Sequence, residues 1–220
     1  NYLTQKLLNS EELEILRKNL EKESLEWEEG KLTAGKHAAK EKNNLQLRRD
    51  SDLSIKFSGL ITKKILSNEL IKSFALPKKI HGTIFSKSTS GMKYGRHIDN
   101  AYMSSGRADL SFTVFLNCKK KYEGGALSIE GLNSEEKFKL DAGEIIIYPS
   151  TYLHSVEKVI DGERLVFIGW IESYVKSIEE REYLFDLDAA ARSLLSKYGR
   201  SEEVDLIYKS YSNFLRRLGN

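Results

Sequence analysis

The sequence predicts an α+β fold: a double-sheet sandwich or jelly roll in the middle of the chain, with helices on either side. Three observations carry that reading. About eight short strand-like runs succeed one another between Ile80 and Ser173. Ten of the fifteen glycines lie from Gly82 to Gly169 and supply the turns between those runs. Apolar residues before and after this stretch recur at helical spacing instead.

The elements follow in order. Ser10 is read as an N-cap, Glu11 and Glu12 suit the positive start of a helix, and Leu13, Leu16 and Leu20 form its stripe. Trp27 to Gln46 is polar and glycine-containing, without clean periodicity. Leu60 to Phe74 reads as a second amphipathic helix, carried by Ile61, Ile65, Leu66 and Leu70 and stopped before Pro77. The strand-like runs are Ile80–Phe85, Gly95–Asp99, Leu110–Asn117, Ala126–Glu130, Glu135–Asp141, Glu144–Pro149, Leu153–Val159 and Arg164–Ser173. Ile178 to Tyr198 is helical again and closes at Gly199. Ser201 then opens a last helix with Val204, Ile207, Tyr208, Tyr211, Leu215 and Leu218 on one face. That stripe is expected to meet the barrel or a partner subunit; a basic nucleic-acid surface from Lys209, Arg216 and Arg217 is the lesser reading. The division expected is 1–78 as helical support, 79–174 as the jelly-roll core and 175–220 as a helical extension.

At 220 residues, 40% hydrophobic and 30% charged, the chain has the composition of one globular domain with appendages. No apolar run approaches a membrane span, and the start lacks a signal-peptide core, although a chain beginning at Asn1 leaves a removed leader open. Cys118 is the single cysteine, so no internal disulfide forms and a cytoplasmic location is expected. A net charge of +3 is too small to argue for a nucleic-acid partner.

His97, Asp99 and His154 carry the chemistry. Two imidazoles and one carboxylate can occupy one triangular face of an octahedral Fe(II), leaving three positions open for substrates. In an extended strand residues i and i+2 point the same way, so His97 and Asp99 can reach one metal, and His154 can approach from a distant strand 57 residues on. The ligand types alone would equally suit Mn(II) or Zn(II). A lone His-x-Asp is a weak signal; its position inside the strand-rich stretch strengthens it.

The surrounding residues resemble PKHD-type hydroxylases, bacterial members of the prolyl-4-hydroxylase-like branch of the Fe(II)/2-oxoglutarate dioxygenases. The resemblance lies in Tyr94-Gly95-Arg96-His97-Ile98-Asp99-Asn100, Arg107-Ala108-Asp109-Leu110-Ser111, Phe115-Leu116-Asn117, Tyr122-Glu123-Gly124-Gly125, Tyr148-Pro149-Ser150 and Leu153-His154. It continues in Leu32-Thr33-Ala34-Gly35, Asn43-Asn44-Leu45-Gln46-Leu47, Leu184-Phe185-Asp186-Leu187-Asp188 and Phe214-Leu215-Arg216-Arg217-Leu218, and so spans nearly the whole chain.

The resemblance implies a double-stranded β-helix (jelly-roll) core that binds Fe(II) through His97, Asp99 and His154. It implies 2-oxoglutarate as cosubstrate, chelating through its C1 carboxylate and keto oxygen, with O2 in the remaining position and L-ascorbate as reductant. Succinate and CO2 would result, with hydroxylation of a peptidyl prolyl or other amino-acid residue, or of a small metabolite. Arg164, ten residues past His154, would hold the remote carboxylate of 2-oxoglutarate. If Asp161-Gly162 made a two-residue hairpin turn, however, Arg164 would face away from His154, and a bulge or a longer turn around Gly162 would be needed to restore the shared face. Tyr94 would donate its hydroxyl to 2-oxoglutarate. Thr113 and Phe115 are candidates for the pocket wall, Arg107 and Asp109 for an ion pair or substrate contacts, and Ser86–Lys93 and Asn100–Gly106 for lid loops. Gly124-Gly125 reads as a tight turn. A non-catalytic, cupin-like metal-binding or sensing module is the alternative, and demethylation of nucleic acid a third reading that lacks a basic groove with stacking aromatics. No membrane partner is expected, and a homo-oligomer through the C-terminal helices is open.

Overall fold

The computed structural model describes residues 2–22, 25–33, 38–131 and 134–220, so Ala34 and Gly35 lie outside the described residues. Strand β1 (Leu3–Lys6) leads into helix α1 (Ser10–Leu20). Asn9, not Ser10, caps this helix. Its side chain accepts from the Glu12 N–H while the Glu12 carboxylate accepts from the Asn9 N–H. Both residues make good caps, but only Asn9 has an acid three positions later to close the capping box.

Three short strands that periodicity missed follow: β2 (Trp27–Glu29), β3 (Lys42–Asn43) and β4 (Leu45–Leu47). Two helices, α2 (Asp52–Ser67) and α3 (Glu69–Ala75), replace the one expected over Leu60–Phe74. Asn68 divides them: its extended backbone ends α2, and its side chain accepts from the Ile71 N–H to start α3. Then come β5 (Pro77–Thr89), β6 (Lys93–His97), β7 (Tyr102–Met103), β8 (Gly106–Arg107), β9 (Leu110–Phe115) and β10 (Tyr122–Gly124). The core closes with β11 (Leu127–Glu130), β12 (Glu135–Phe138), β13 (Glu144–Pro149), β14 (His154–Val156) and β15 (Val159–Ser173). Helices α4 (Ile178–Tyr198) and α5 (Glu202–Leu218) end the chain.

The strands build a jelly roll of two antiparallel sheets. The larger runs β1-β13-β9-β15-β5-β4-β2, with β10 added along β15; the smaller runs β12-β11-β14-β6-β3. Alternation sorts the side chains of the large sheet. Ile145, Ile147, Leu110, Phe112, Leu165 and Phe167 face outward into a core with α1, α2 and α3. Ile146, Tyr148, Phe115 and Val166 face inward and meet Leu127, Ile129 and Phe138 of the small sheet. Burial on both faces explains why these strands read as unbroken apolar runs. Each such side chain contributes about 1.5–3 kcal/mol of burial free energy. The α5 stripe packs inward: Tyr211, Leu215 and Leu218 lie against Leu76, Val175 and Leu184. Among the described residues no helix is long and apolar enough to cross a membrane.

Candidate active site

The space between the two sheets holds the residues singled out above. His97 ends β6, His154 begins β14, and the two are direct cross-strand partners with ring centroids 4.2 Å apart. Strand pairing therefore brings together residues far apart in sequence. Strand β6 stops at His97, so Asp99 is not placed by i, i+2 strand parity as expected. Its carboxylate is held from the opposite sheet: Ser111 of β9 donates its hydroxyl to Asp99 Oδ2 at 2.6 Å, and Ser150 Oγ lies 2.7 Å from Ser111 Oγ.

One ligand atom from each of His97, Asp99 and His154 lies within 4.8 Å of the others. Nδ1 of His97 is 2.8 Å from the Gly95 carbonyl, and Nδ1 of His154 is 3.0 Å from that of Tyr152. A carbonyl only accepts, so both Nδ1 atoms carry the proton and both Nε2 lone pairs are left for the centre. Burial, reinforced by the neighbouring His154, pushes the His97 pKa down to about 4 and keeps that ring neutral at neutral pH. Two imidazole Nε2 donors and a fixed carboxylate fit a 2-His-1-carboxylate metal ion.

A cavity of about 790 Å³ surrounds the triad. Arg164 lines it, 3% exposed, with its guanidinium carbon 5.6 Å from the centre of the Phe115 ring and its Nε without an acceptor among the described residues. The hairpin feared at Asp161-Gly162 does not exist. β15 runs unbroken through both residues, and Gly162, at φ 77°, sits opposite Tyr122 of β10. His154 and Arg164 thus belong to different sheets that face one another, and strand parity does not relate them. Tyr94 stacks on His97 at 3.7 Å and 19° and lines the cavity. Burial, with a smaller push from Asp99, raises its pKa, so its hydroxyl stays a donor.

Thr113 lines the cavity, whereas Phe115 lies beneath Arg164. Arg107 and Asp109 pair at 2.8 Å away from the cavity, and Asp109 Oδ2 also accepts from the Ser173 N–H, so they brace β8 against the end of β15. Lys42, Arg49 and Trp170 line the cavity as well and went unnoticed in the sequence, while Ser86, read as the start of a lid loop, lines it from β5. The polar stretch before Gln46 gave no sign that it borders a site. The donor role of Ser111 also went unseen, although its inward parity with Thr113 was readable.

The 2OG-Fe(II) oxygenase superfamily model matches residues 83–172. The chain is 73% identical over 219 residues to a PKHD-type hydroxylase of Prochlorococcus marinus strain MIT 9215, covering 100% of this chain and 99% of that one. It is 70% identical to another from strain MIT 9515, with both chains fully covered. Among solved structures it resembles a Pseudomonas putida prolyl-4-hydroxylase, with a TM-score of 0.55 at 18% identity over 78% of this chain and 92% of that one. A Trichoplax adhaerens prolyl hydroxylase in complex with a hypoxia-inducible-factor peptide fragment gives a TM-score of 0.55 at 14% identity, over 83% and 86% of the two chains. At those identities the likeness is one of fold.

Proposed function

The chain belongs to the PKHD-type hydroxylases of the 2OG-Fe(II) oxygenase superfamily, and we propose that it hydroxylates a C–H bond of a small-molecule or peptide substrate while 2-oxoglutarate becomes succinate and CO2. As an Fe(II)/2-oxoglutarate-dependent dioxygenase it uses Fe(II), 2-oxoglutarate and O2, with ascorbate as the accessory reductant. Iron and 2-oxoglutarate supply the oxidative decarboxylation and the attack on the C–H bond. His97, Asp99 and His154 would hold the iron, with Ser111 orienting the carboxylate. Arg164 would pair with the remote carboxylate of 2-oxoglutarate, and Tyr94 would donate a hydrogen bond to it. Val166 and Ile168, inward on β15, would keep water from the reacting centre.

The observation that carries the reading is the buried Arg164 guanidinium, in one cavity with the triad and with a donor still to satisfy. A cupin-like sensor has no need of a diacid pocket. The cytoplasmic location rests on the single cysteine, Cys118. Self-association through α4 and α5, where Tyr183, Leu206 and Phe214 stand exposed, belongs to the same proposal.

The test is succinate. Given Fe(II), ascorbate and O2, the protein is expected to convert 2-oxoglutarate slowly to succinate without its substrate, and Asp99→Ala to lose this. Succinate no higher than in that variant, with iron bound to the parent, would return the sensor reading.

A further inference from the structure

The cavity has two positive poles. Arg164 is one, beside Phe115 with Tyr122 and Tyr148 around its charge. The other is Lys42, on β3, with Arg49, in the turn after β4. Lys42 is 5% exposed, and its ammonium lies 4.9 Å from the Tyr94 ring centroid. Burial disfavours the charge on Lys42, and Arg49, itself exposed, adds to this from nearby. The adjacent Arg48 is occupied by Glu26 and Asp50, whereas Arg49 has no hydrogen bond or ion pair among the described residues.

The chain spends structure on holding this second pole in place. β3 pairs with β6 of the small sheet, opposing Lys42 to Tyr94, while β4 pairs with β5 of the large one. Between them Asn44 donates to Ser86 Oγ at 2.7 Å. The strap therefore crosses from one sheet to the other and fixes two like charges beside one cavity, a preorganised arrangement that favours an anion.

Charge balance points the same way. Asp99 is the one acidic residue lining the cavity among the described residues. Fe(II), Asp99, Arg164 and a 2-oxoglutarate dianion together are neutral, so the loaded centre brings no net charge to oppose an anion beside Lys42 and Arg49. Apolar surface lies along one part of the wall, in Tyr102 and Met103 on the β7–β8 hairpin and Ile168 and Trp170 on β15. The buried Trp170 Nε1 also lacks an acceptor among the described residues.

We propose that Lys42 and Arg49 bind an anionic group, carboxylate or phosphate, on a substrate whose apolar body lies along Trp170 and Met103. This rests on the reading that Arg164 takes the cosubstrate. The experiment titrates the protein, loaded anaerobically with Fe(II) and 2-oxoglutarate, with benzoate, phenyl phosphate and the neutral benzamide by calorimetry. One or both anions are expected to bind at least tenfold more tightly than benzamide, and which of them does so identifies the group. Lys42→Gln and Arg49→Gln are each expected to weaken anion binding at least fivefold, with 2-oxoglutarate affinity within twofold of the parent. Arg49→Gln is at an exposed position and keeps the test open should Lys42→Gln fail to fold. Equal binding of the three probes, or unchanged anion affinity in Arg49→Gln, would overturn the proposal. So would a matching fall in 2-oxoglutarate affinity, since both residues would then serve the cosubstrate. The two readings fail separately: anion binding lost with Arg49→Gln beside 2-oxoglutarate binding indifferent to Arg164→Ala keeps the second pole and removes the first.

Discussion

Ser111 orients Asp99 as the carbonyls of Gly95 and Tyr152 orient the two histidines: its hydroxyl holds Oδ2, the oxygen that lies 3.7 Å from His154 Nε2. Such partners commonly set metal affinity by about 10- to 100-fold. Ser111→Ala is therefore expected to weaken Fe(II) binding by roughly that factor, read by anaerobic calorimetry. Parent-like affinity would mean that Asp99 needs no orienting donor. Arg164→Ala should leave Fe(II) binding intact and weaken 2-oxoglutarate binding. A desolvated carboxylate losing its charged partner costs about 2–5 kcal/mol, or roughly 30- to several-thousand-fold in affinity. An unchanged 2-oxoglutarate titration would move the anchor to another residue.

At the scale of the element, β15 matters most, because Arg164, Val166, Ile168 and Trp170 all line the cavity from it. The glycine at 162 lets the strand run past β10. Its φ is 77°, and a Cβ there would come 2.2 Å from the Lys121 carbonyl. Gly162→Ala is expected to destabilise the fold by about 1–3 kcal/mol and to weaken 2-oxoglutarate binding, since Arg164 lies two residues on. Thermal melts and the same calorimetry read both effects, and a variant matching the parent in each would show that this glycine does not aim Arg164. The long apolar runs of the core and the stripes of α1 and α5 were legible in sequence because each buries a regular face. β3 was not legible: Lys42 and Asn43 have no apolar pattern, and only the neighbouring strand makes them one. The Asn68 break was hidden because apolar spacing continues across it from Ile65 to Ile71. The triad could be read as residue types in order, but the facing of Arg164 could not. It depends on β14 and β15 entering different sheets, which no local count of residues records.

For the whole molecule, the inner cluster and the metal triad share the space between the sheets, so protonation of the site bears on the stability of the sandwich. With metal absent, the His97 pKa is about 4 when folded, below the ordinary 6.5. The unfolded chain then takes up a proton below about pH 6.5 that the folded one refuses until near 4, and stability falls as pH drops through that window. Melting temperature is expected to fall from pH 6.5 to 4.5 in metal-free protein and less steeply in His97→Gln; equal slopes would assign the loss elsewhere. The pairing of His97 with His154 has one more consequence, in the order of events in a cell. A nascent chain emerges from the ribosome with His97 and Asp99 long before His154 has been synthesised, and the pair closes only when β14 docks on β6. The three candidate ligands therefore stand together only in the finished fold.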